Sequence, residues 1–162
     1  MTKKIISAEE LATIQQKMHA EGRRLVLTNG CFDLLHLGHI RYLHAARALG
    51  DALALAINGD QSVRALKGEG RPLNPEADRA EIVAALECVD HVVTFPEVRA
   101  TRLLETVRPS IYVKGGDYTP ETLDAEECAV LKKIGAEVRI LPFEKGQSTS
   151  ALIERMKTRS RE

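Results

Sequence analysis

Two histidines three residues apart, His36 and His39, follow an apolar run typical of a buried strand, Arg24–Thr28. Because residues three apart project from the same side of a helical turn, the spacing predicts two adjacent imidazoles at the start of a helix. The free N–H groups and positive dipole end of a helix start favour phosphate, and imidazoles can donate hydrogen bonds to phosphate oxygens in a transition state. The pattern therefore indicates a phosphate site, with capping or packing histidines as the structural alternative.

Two glycines accompany this motif. Gly38, between the histidines, removes a side chain where a nucleotide would lie close to the backbone, and Gly30 is predicted to serve the tight turn that leaves the strand. The chain contains neither a G-x-x-x-x-G-K-[ST] phosphate loop nor a G-x-G-x-x-G fingerprint, which disfavours a P-loop kinase and a simple dehydrogenase. No third Cys, His or carboxylate stands at metal-ligand spacing from the histidines.

Cationic and hydroxyl side chains stand in other loops and at the ends of other apolar runs. Lys67 and Arg71 lie in a glycine-containing loop, where they could clamp a phosphate or simply be solvated. Lys114 precedes two glycines at the end of a predicted strand, so it could contact phosphate or reach past the strand end into solvent. Ser148–Ser150 opens a predicted helix, where hydroxyls and free N–H groups can both bind phosphate and cap the helix.

Two carboxylates and one thiol complete the set of candidate residues. Asp33 could contact an acceptor substrate or cap the helix that carries the histidines, and Asp117 could hold sugar hydroxyls or cap a turn. Cys31 is not predicted to be a nucleophile, because no base stands beside it. We expect Cys31 and Phe32 to act through their backbone and packing.

The elements that must position these residues alternate along the chain. A capping box at Ser7–Glu10 predicts a first helix that Gly22 ends. Predicted strands follow at Arg24–Thr28, Ala52–Ile57, His91–Phe95, Ile111–Lys114 and Val138–Leu141. The predicted helices run from about Leu35 to a C-cap at Gly50, and over Gln61–Leu66, Asn74–Cys88, Ala100–Val107, Glu121–Ile134 and Ser150–Lys157. This alternation predicts a doubly wound, Rossmann-like α/β domain with a five-stranded parallel sheet and a site at the carboxyl ends of its strands.

The helix predicted over Asn74–Cys88 begins with a polar residue and a proline. Asn74 is predicted to cap it with its side chain and Pro75 to take its first helical position. Its apolar spacing predicts that Ile82, Val83 and Leu86 are buried.

Length and composition restrict the classes of protein that fit. The 162 residues predict a single domain, with residues 1–23 as a helical extension and 24–157 as the core. A formal net charge of zero predicts no nucleic-acid partner, and with apolar runs too short for a bilayer it predicts no membrane partner. Three cysteines without ligand spacing, and no apolar signal segment, favour a reduced, cytoplasmic location.

The run Asn29–His39 resembles the signature of the cytidylyltransferase-like superfamily. Further segments resemble one branch of it, the D-glycero-β-D-manno-heptose 1-phosphate adenylyltransferases of ADP-heptose synthesis. These segments are Ala56–Asp60, Leu66–Gly68, Arg71–Asn74, Ala84–Asp90, Val113–Tyr118 and Ser148–Ser150. The H-x-G-H motif indicates only the superfamily, whereas Lys-Gly-Gly-Asp-Tyr and Arg-Pro-Leu-Asn point to the heptose branch.

The resemblance extends from about Arg24 to Met156 and contains two departures. Gly59 stands where the branch has serine, and Ser150 stands where it has threonine. Many relatives are fused to a sugar kinase, and this chain resembles the stand-alone form.

The resemblance implies a nucleotidyltransferase fold and attack by a sugar 1-phosphate oxygen on the α-phosphorus of ATP, which releases pyrophosphate. That nucleophile is already ionised, so catalysis would rest on positioning and charge stabilisation, without a general base. Mg²⁺ is expected to arrive with ATP and to have few protein ligands. The resemblance also implies a homodimer, and a product destined for lipopolysaccharide core or another heptose-containing glycan.

These inferences divide the candidate residues between ATP and a sugar phosphate. The predicted catalytic residues are His36, His39 and Lys67. The predicted nucleotide-binding residues are Asn29, Gly30, Cys31, Phe32, His36, Gly38, His39, Lys114, Ser148, Thr149 and Ser150. The predicted acceptor-binding residues are Asp33, Asn58, Lys67, Arg71 and Asp117.

Two other functions stay open at this point. A cytidylyltransferase acting on a small polyol or sugar phosphate, such as glycerol 3-phosphate, would share the fold. Such relatives usually carry Arg-Thr-Glu-Gly-Ile before the hydroxyl cluster, where this chain has Phe143–Gln147. A non-catalytic nucleotide sensor is the other possibility, and the presence of His36, His39, Lys67 and Lys114 argues against it.

Overall fold

A computed structural model describes residues 3–116, 118–119, 121–142 and 148–159. Five apolar segments form strands: β1 (Leu25–Gly30), β2 (Ala52–Asn58), β3 (His91–Phe95), β4 (Ile111–Gly115) and β5 (Glu137–Leu141). Neighbouring strands are parallel throughout, in the order β3-β2-β1-β4-β5. Every residue of β2 is buried, as expected for a parallel sheet covered on both faces. The predicted five-stranded parallel sheet is confirmed.

Helices cover both faces of this sheet. They are α1 (Ala8–Ala20), α2 (Leu37–Arg47), α3 (Asp60–Lys67), α4 (Glu76–Ala84), α5 (Thr101–Val107), α6 (Ala125–Ile134) and α7 (Thr149–Arg159). One face packs against α1, α5 and α6 through Leu11, Leu104 and Leu131. The opposite face packs against α2 and α4 through Leu43 and Val83. The single, doubly wound α/β domain is therefore as predicted, and its strand order reverses between β1 and β4, where ligands bind in such sheets.

The start of α1 follows its predicted local chemistry. The Ser7 hydroxyl accepts a hydrogen bond from the Glu10 N–H, and the Glu10 carboxylate accepts one from the Ser7 N–H. This capping box satisfies two backbone donors that an α-helix start leaves free. No helix within the described ranges is both long and apolar enough to span a membrane.

The end of α2 differs from the prediction. Ala48 is the C-cap, two residues before Gly50. Gly50 instead lets the backbone at Arg24 pass close by, because a Cβ at Gly50 would lie 2.7 Å from the Arg24 carbonyl oxygen. The glycine is required by packing against the start of β1.

The bounds of α4 and α6 also differ. Pro75 is the N-cap of α4, while the Asn74 side chain donates to the Asp33 carbonyl oxygen instead of capping the helix. The helix ends at Ala84 rather than at Cys88, and Ile82, which was predicted to be buried, is 45% exposed. The start of α6 lies at Ala125 rather than at the predicted Glu121. Asp124 caps it by accepting the N–H groups of the next turn.

Candidate active site

A cleft of about 710 Å³ opens at the carboxyl ends of the strands, within the size range of nucleotide and drug-sized ligand sites. The predicted residues that line it are Asn29, Gly30, Cys31, Phe32, Asp33, His36, His39, Asn58, Lys67, Arg71, Lys114, Ser148, Thr149 and Ser150. Gly38 is buried in the first turn of α2, and it is not among the residues that line the cleft. Asp117 lies outside the described residues.

The two histidines lie against each other at the start of α2. His36 is the N-cap residue, with an extended backbone, and no side chain caps this helix. The imidazole rings of His36 and His39 stack with their centroids 3.9 Å apart. Each ring has a buried Nδ1 that makes no hydrogen bond with any described residue. The predicted pair of adjacent imidazoles at a helix start is therefore present.

Both imidazoles are neutral at neutral pH. Burial lowers the pKa of His39 to about 4, and the nearby His36 adds to that shift. Burial also lowers the pKa of His36, with a further contribution from the Arg155 guanidinium of α7. A neutral imidazole offers one N–H donor and one acceptor, and a bound anion would favour its protonated form. The rings can therefore respond to the charge of a phosphate.

Phe32 supports His39 from the adjoining loop. Its φ of 45° lies in the left-handed region, which is rare for an aromatic residue, and its ring centroid is 5.1 Å from that of His39. Gly30, which was predicted to serve the turn that leaves the strand, is the last residue of β1, and its φ is not positive, so the backbone conformation alone does not require a glycine there. A Cβ at Gly30 would lie 2.8 Å from Cε2 of Phe32, so the glycine makes room for this ring.

Asp33 connects the histidine loop to the loop before α4. Its side chain is nearly fully buried, and its carboxylate accepts hydrogen bonds from the N–H groups of Leu73 and Asn74 and from Nε of Arg71 at 2.7 Å. Burial alone would raise the pKa of Asp33, but these donors outweigh it and hold the pKa below its usual value. Asp33 does not cap α2, so that alternative is wrong.

The two cations of the predicted phosphate loop differ in their surroundings. Arg71 is largely buried and paired with Asp33, whereas Lys67 is the last residue of α3 and is exposed. Lys67 makes no ion pair with the described residues. Arg71 is therefore held in place at the cleft, whereas the Lys67 side chain can still turn toward a ligand.

Asn58 lines the cleft, and the buried Arg79 binds the carbonyl oxygen of Asn58. The Asn58 amide donates to the Ser62 hydroxyl at 2.9 Å. Arg79 of α4 is fully buried, and its guanidinium donates to the carbonyl oxygens of Cys31, Asn58 and Asn74. Sequence reasoning missed Arg79, although it stands one helical turn before Val83, which was predicted to be buried. This arginine ties together the ends of β1 and β2 and the loop before α4.

The start of α7 combines capping with a tertiary contact. The Ser148 hydroxyl accepts a hydrogen bond from the Ala151 N–H, and the Thr149 hydroxyl donates to the Leu34 carbonyl oxygen at 3.1 Å. These contacts place the predicted hydroxyl cluster beside the segment that leads into α2. Cys31 lines the same cleft, and burial raises the pKa of its thiol, which therefore stays protonated at neutral pH.

Lys114 lines the cleft at the carboxyl end of β4, together with residues that were not predicted as site residues. Those additional lining residues are Tyr42, Leu66, Val98, Arg99, Gly115, Tyr118, Thr122, Asp124 and Glu127. Gly115 and Tyr118 belong to the Lys-Gly-Gly-Asp-Tyr motif, whereas most of the others come from the segments after β3 and β4, where hydrophobic periodicity is weak and no motif marks a site. A glutamate in the first turn of a helix, such as Glu127, ordinarily indicates only a favourable helix dipole.

Known proteins resemble this chain over most of its length. The family model described as cytidylyltransferase-like matches residues 27–155. The bifunctional protein HldE of Geotalea uraniireducens is 50% identical over 157 residues, which are 97% of this chain and 32% of that protein. The HldE protein of Nitratiruptor sp. is 47% identical over 93% of this chain and 31% of its own length. The chain thus spans about a third of the length of these curated relatives.

Solved structures give the same fold. A lipopolysaccharide core biosynthesis protein from Thermoplasma volcanium is 31% identical, with a TM-score of 0.64, over 78% of this chain and 100% of that chain. A pantoate-β-alanine ligase from Francisella tularensis, solved with β,γ-ATP and β-alanine, superposes with a TM-score of 0.61 at 15% identity. That match covers 95% of this chain and 73% of the ligase, and it bears on the fold alone.

Proposed function

This chain belongs to the cytidylyltransferase-like family, and from that membership we propose that it transfers AMP from ATP to D-glycero-β-D-manno-heptose 1-phosphate. The products would be ADP-heptose and pyrophosphate. The sequence segments of the heptose branch support this choice, as does the similarity to HldE proteins and to a lipopolysaccharide core biosynthesis protein. The observation that carries the proposal is the stacked pair of His36 and His39 in one cleft with Lys67, Arg71 and Lys114.

The nucleotide would lie against the starts of α2 and α7. His36 and His39 would donate hydrogen bonds to the α-phosphate and to the departing pyrophosphate, and their proximity to the first turn of α2 adds the helix dipole. The hydroxyls and N–H groups of residues 148–150 would bind the remaining phosphates. Asn29 to Phe32 would shape the backbone over which the nucleotide passes.

The acceptor would lie toward α3 and the loop before α4. Lys67 and Arg71 would hold its phosphate, with Asn58 beside the sugar. Asp33 would act through Arg71, because its carboxylate is already occupied by that guanidinium and by two backbone N–H groups. Arg71 is thereby pre-organised, which lowers the entropic cost of binding the phosphate.

The reaction requires little proton transfer from the protein. A phosphate oxygen of the acceptor attacks the α-phosphorus of ATP, and the bond to the bridging oxygen of pyrophosphate breaks. Because the nucleophile is an anion at neutral pH, the protein must align it in line with the leaving group and stabilise the charge that develops. Imidazoles, cations and helix N-termini at the cleft would do both.

Mg²⁺ belongs to this proposal as a partner of the triphosphate. Among the described residues, no three His, Cys, Asp or Glu side chains form a group that could hold a metal ion. Mg²⁺ is commonly held by substrate phosphates with few protein ligands, and it would neutralise part of the triphosphate charge. A cytoplasmic location and a homodimer, expected from composition and family resemblance, are further parts of the proposal.

The test is a direct assay of the purified protein. Incubation with ATP, Mg²⁺ and the heptose 1-phosphate should release pyrophosphate and form ADP-heptose, detected by mass spectrometry. Parallel reactions with CTP and glycerol 3-phosphate test the cytidylyltransferase alternative. Absence of product with a verified heptose 1-phosphate would refute the proposal, and nucleotide binding without turnover of any acceptor would indicate a sensor.

A further inference from the structure

A buried carboxylate stands in the wall of the cleft. Glu127, in the first turn of α6, is only 5% exposed. Its Oε1 accepts a hydrogen bond from the Ala100 N–H at 2.9 Å, and its Oε2 lies 4.0 Å from Nζ of Lys114. A carboxylate removed from water is costly unless its oxygens are paired. Each oxygen of Glu127 has a partner, and the two partners belong to different parts of the fold.

Lys114 is itself poorly solvated. It stands in β4 next to the carboxyl end of the strand, and only 13% of its side chain is exposed. Its ammonium lies 5.5 Å from the Tyr112 ring centroid and 5.3 Å from that of Tyr118, and aromatic faces attract cations at such distances. The Tyr112 hydroxyl donates to Oδ1 of Asn29 at 2.7 Å, so this wall is connected to the end of β1. Lys114 therefore occupies a defined position beside the histidine loop.

The charge state of Lys114 depends on its neighbours. Burial lowers its pKa, whereas Glu127, then Asp124 and Cys31, act in the opposite direction. Asp124 also caps α6 and forms an ion pair with Nη1 of Arg99 at 2.5 Å, so its carboxylate is shared with a second cation. The Cys31 thiol and the Tyr112 hydroxyl have raised pKa values, chiefly through burial, and carry no charge at neutral pH.

From this arrangement we propose that Glu127 is a positioning residue for nucleotidyl transfer, which keeps Lys114 charged and directed into the cleft. The inference rests on the proposed function for its kinetic consequence, but the ion pair itself can be tested without turnover. Glu127 would not touch either substrate. It would let a lysine that is mostly removed from water still offer a full positive charge to a phosphate.

The kinetic test removes the negative charge of Glu127 and keeps the shape of its side chain. In Glu127→Gln the amide oxygen can still accept the Ala100 N–H, while the amide nitrogen faces Lys114. Loss of a carboxylate at this distance should lower the pKa of Lys114 by about one unit or more. The alkaline limb of the pH profile of kcat/KM for ATP should then shift to lower pH by the same amount. Glu126→Gln is the matched control, because Glu126 is the adjacent residue and its side chain is exposed.

Two further variants separate positioning from a structural role. Lys114→Arg in the Glu127→Gln background should abolish the shift of the alkaline limb, because guanidinium stays protonated. Glu127→Asp keeps the negative charge on a shorter side chain. Its alkaline limb should therefore lie near the pH of the wild-type limb, while its unfolding temperature should be lower. If Glu127→Gln does not fold, a clearly lowered alkaline limb in Glu127→Asp would contradict the proposal, since this variant retains the negative charge.

The titration of Lys114 can be followed directly by NMR of protein labelled with ¹³C-lysine, using Lys114→Arg to assign the signal. A midpoint lowered in folded Glu127→Gln supports the proposal even if the wild-type protein makes no ADP-heptose, in which case only the proposed function falls. An unchanged Lys114 midpoint in that variant, with only the unfolding temperature lowered, would overturn the positioning role.

Discussion

The two cleft histidines, His36 and His39, have lowered pKa values, yet a bound anion would favour their protonation. Their stacked rings are neutral at neutral pH because burial lowers the pKa of each imidazole. A phosphate placed against them would favour protonation, so their positive charge would develop when a ligand needs it. Two adjacent imidazolium cations would repel each other, and protonation that accompanies anion binding offsets this repulsion.

Removing either imidazole should therefore affect catalysis far more than folding. His36→Ala or His39→Ala should lower kcat by about 100-fold or more, the usual cost of losing one transition-state donor. The measurement is initial-rate pyrophosphate release at saturating substrates. His44→Ala, on the same helix with an exposed side chain, is the control and should retain wild-type rates. Normal turnover in both cleft variants would contradict the assigned roles.

The low pKa of His39 also makes stability depend on pH. The folded-state value of about 4 lies below the ordinary value of 6.5, so the fold favours the neutral imidazole. Its contribution should be complete above about pH 6.5 and fall as the pH drops toward 4, by on the order of 3 kcal/mol. His39→Gln should remove this dependence in urea unfolding at pH 7.0 and 4.5. An equal loss in the variant and the wild-type protein would show that other groups cause it.

Among the elements, the end of β1 and the loop that follows it leave no room for a side chain at Gly30. Gly30→Ala would place a Cβ 2.8 Å from the Phe32 ring, which packs against His39. The variant should lose about 1–3 kcal/mol of stability, as overpacked sites do, and lose turnover beyond that expected from unfolding. Chemical denaturation and kinetics on the folded fraction measure both effects.

Gly50→Ala is the control for this prediction. Its Cβ would lie 2.7 Å from the Arg24 carbonyl oxygen, beside the starts of β1 and β2 and away from the cleft. It should lower stability while the rate per folded molecule stays unchanged. If both variants affect turnover alike, the Phe32 contact does not position the histidines.

The loop before α4 depends on Asp33. Asp33→Asn keeps an oxygen for the backbone N–H groups but loses the charge that holds Arg71. Hydrogen bonds to charged groups contribute about 1.5–3 kcal/mol, so KM for the sugar phosphate should rise tenfold or more, with a smaller change in kcat. Asp51→Asn, which affects a carboxylate bonded to the Arg24 N–H near the other edge of the sheet, should leave that KM unchanged. Equal KM values in both variants would exclude the proposed role of Asp33.

The whole molecule contributes to binding, because the cleft exists only when three strand ends and the starts of α2 and α7 are assembled. ATP should then stabilise the folded state by about 2.7 kcal/mol at a concentration of 100 Kd. For a domain of this size the unfolding temperature should rise by roughly 5–10 °C. Thermal unfolding with ATP and with CTP at equal concentrations gives the comparison. A larger shift with CTP would favour the cytidylyltransferase alternative.

Local rules were sufficient where a few neighbouring residues decide the outcome. The Ser7 capping box, the apolar runs of the strands and the alternation of elements correctly indicated the parallel sheet and the position of the cleft. The same rules were wrong where a local residue type has a second use. Gly50 and Asn74 have the residue types of helix caps, yet a backbone contact and the Asp33 carbonyl determine their positions.

The sequence by itself determined the order and type of the elements and the placement of the H-x-G-H motif at a helix start, because these depend on hydrophobic period and on contacts within one or two turns. Only the tertiary structure decided the partners of the charged residues. Asp33 contacts Asn74, Arg79 contacts Cys31, and Glu127 contacts Ala100, across separations of 41, 48 and 27 residues. No local pattern encodes such contacts, since they arise when a parallel sheet brings the ends of distant strands to one edge.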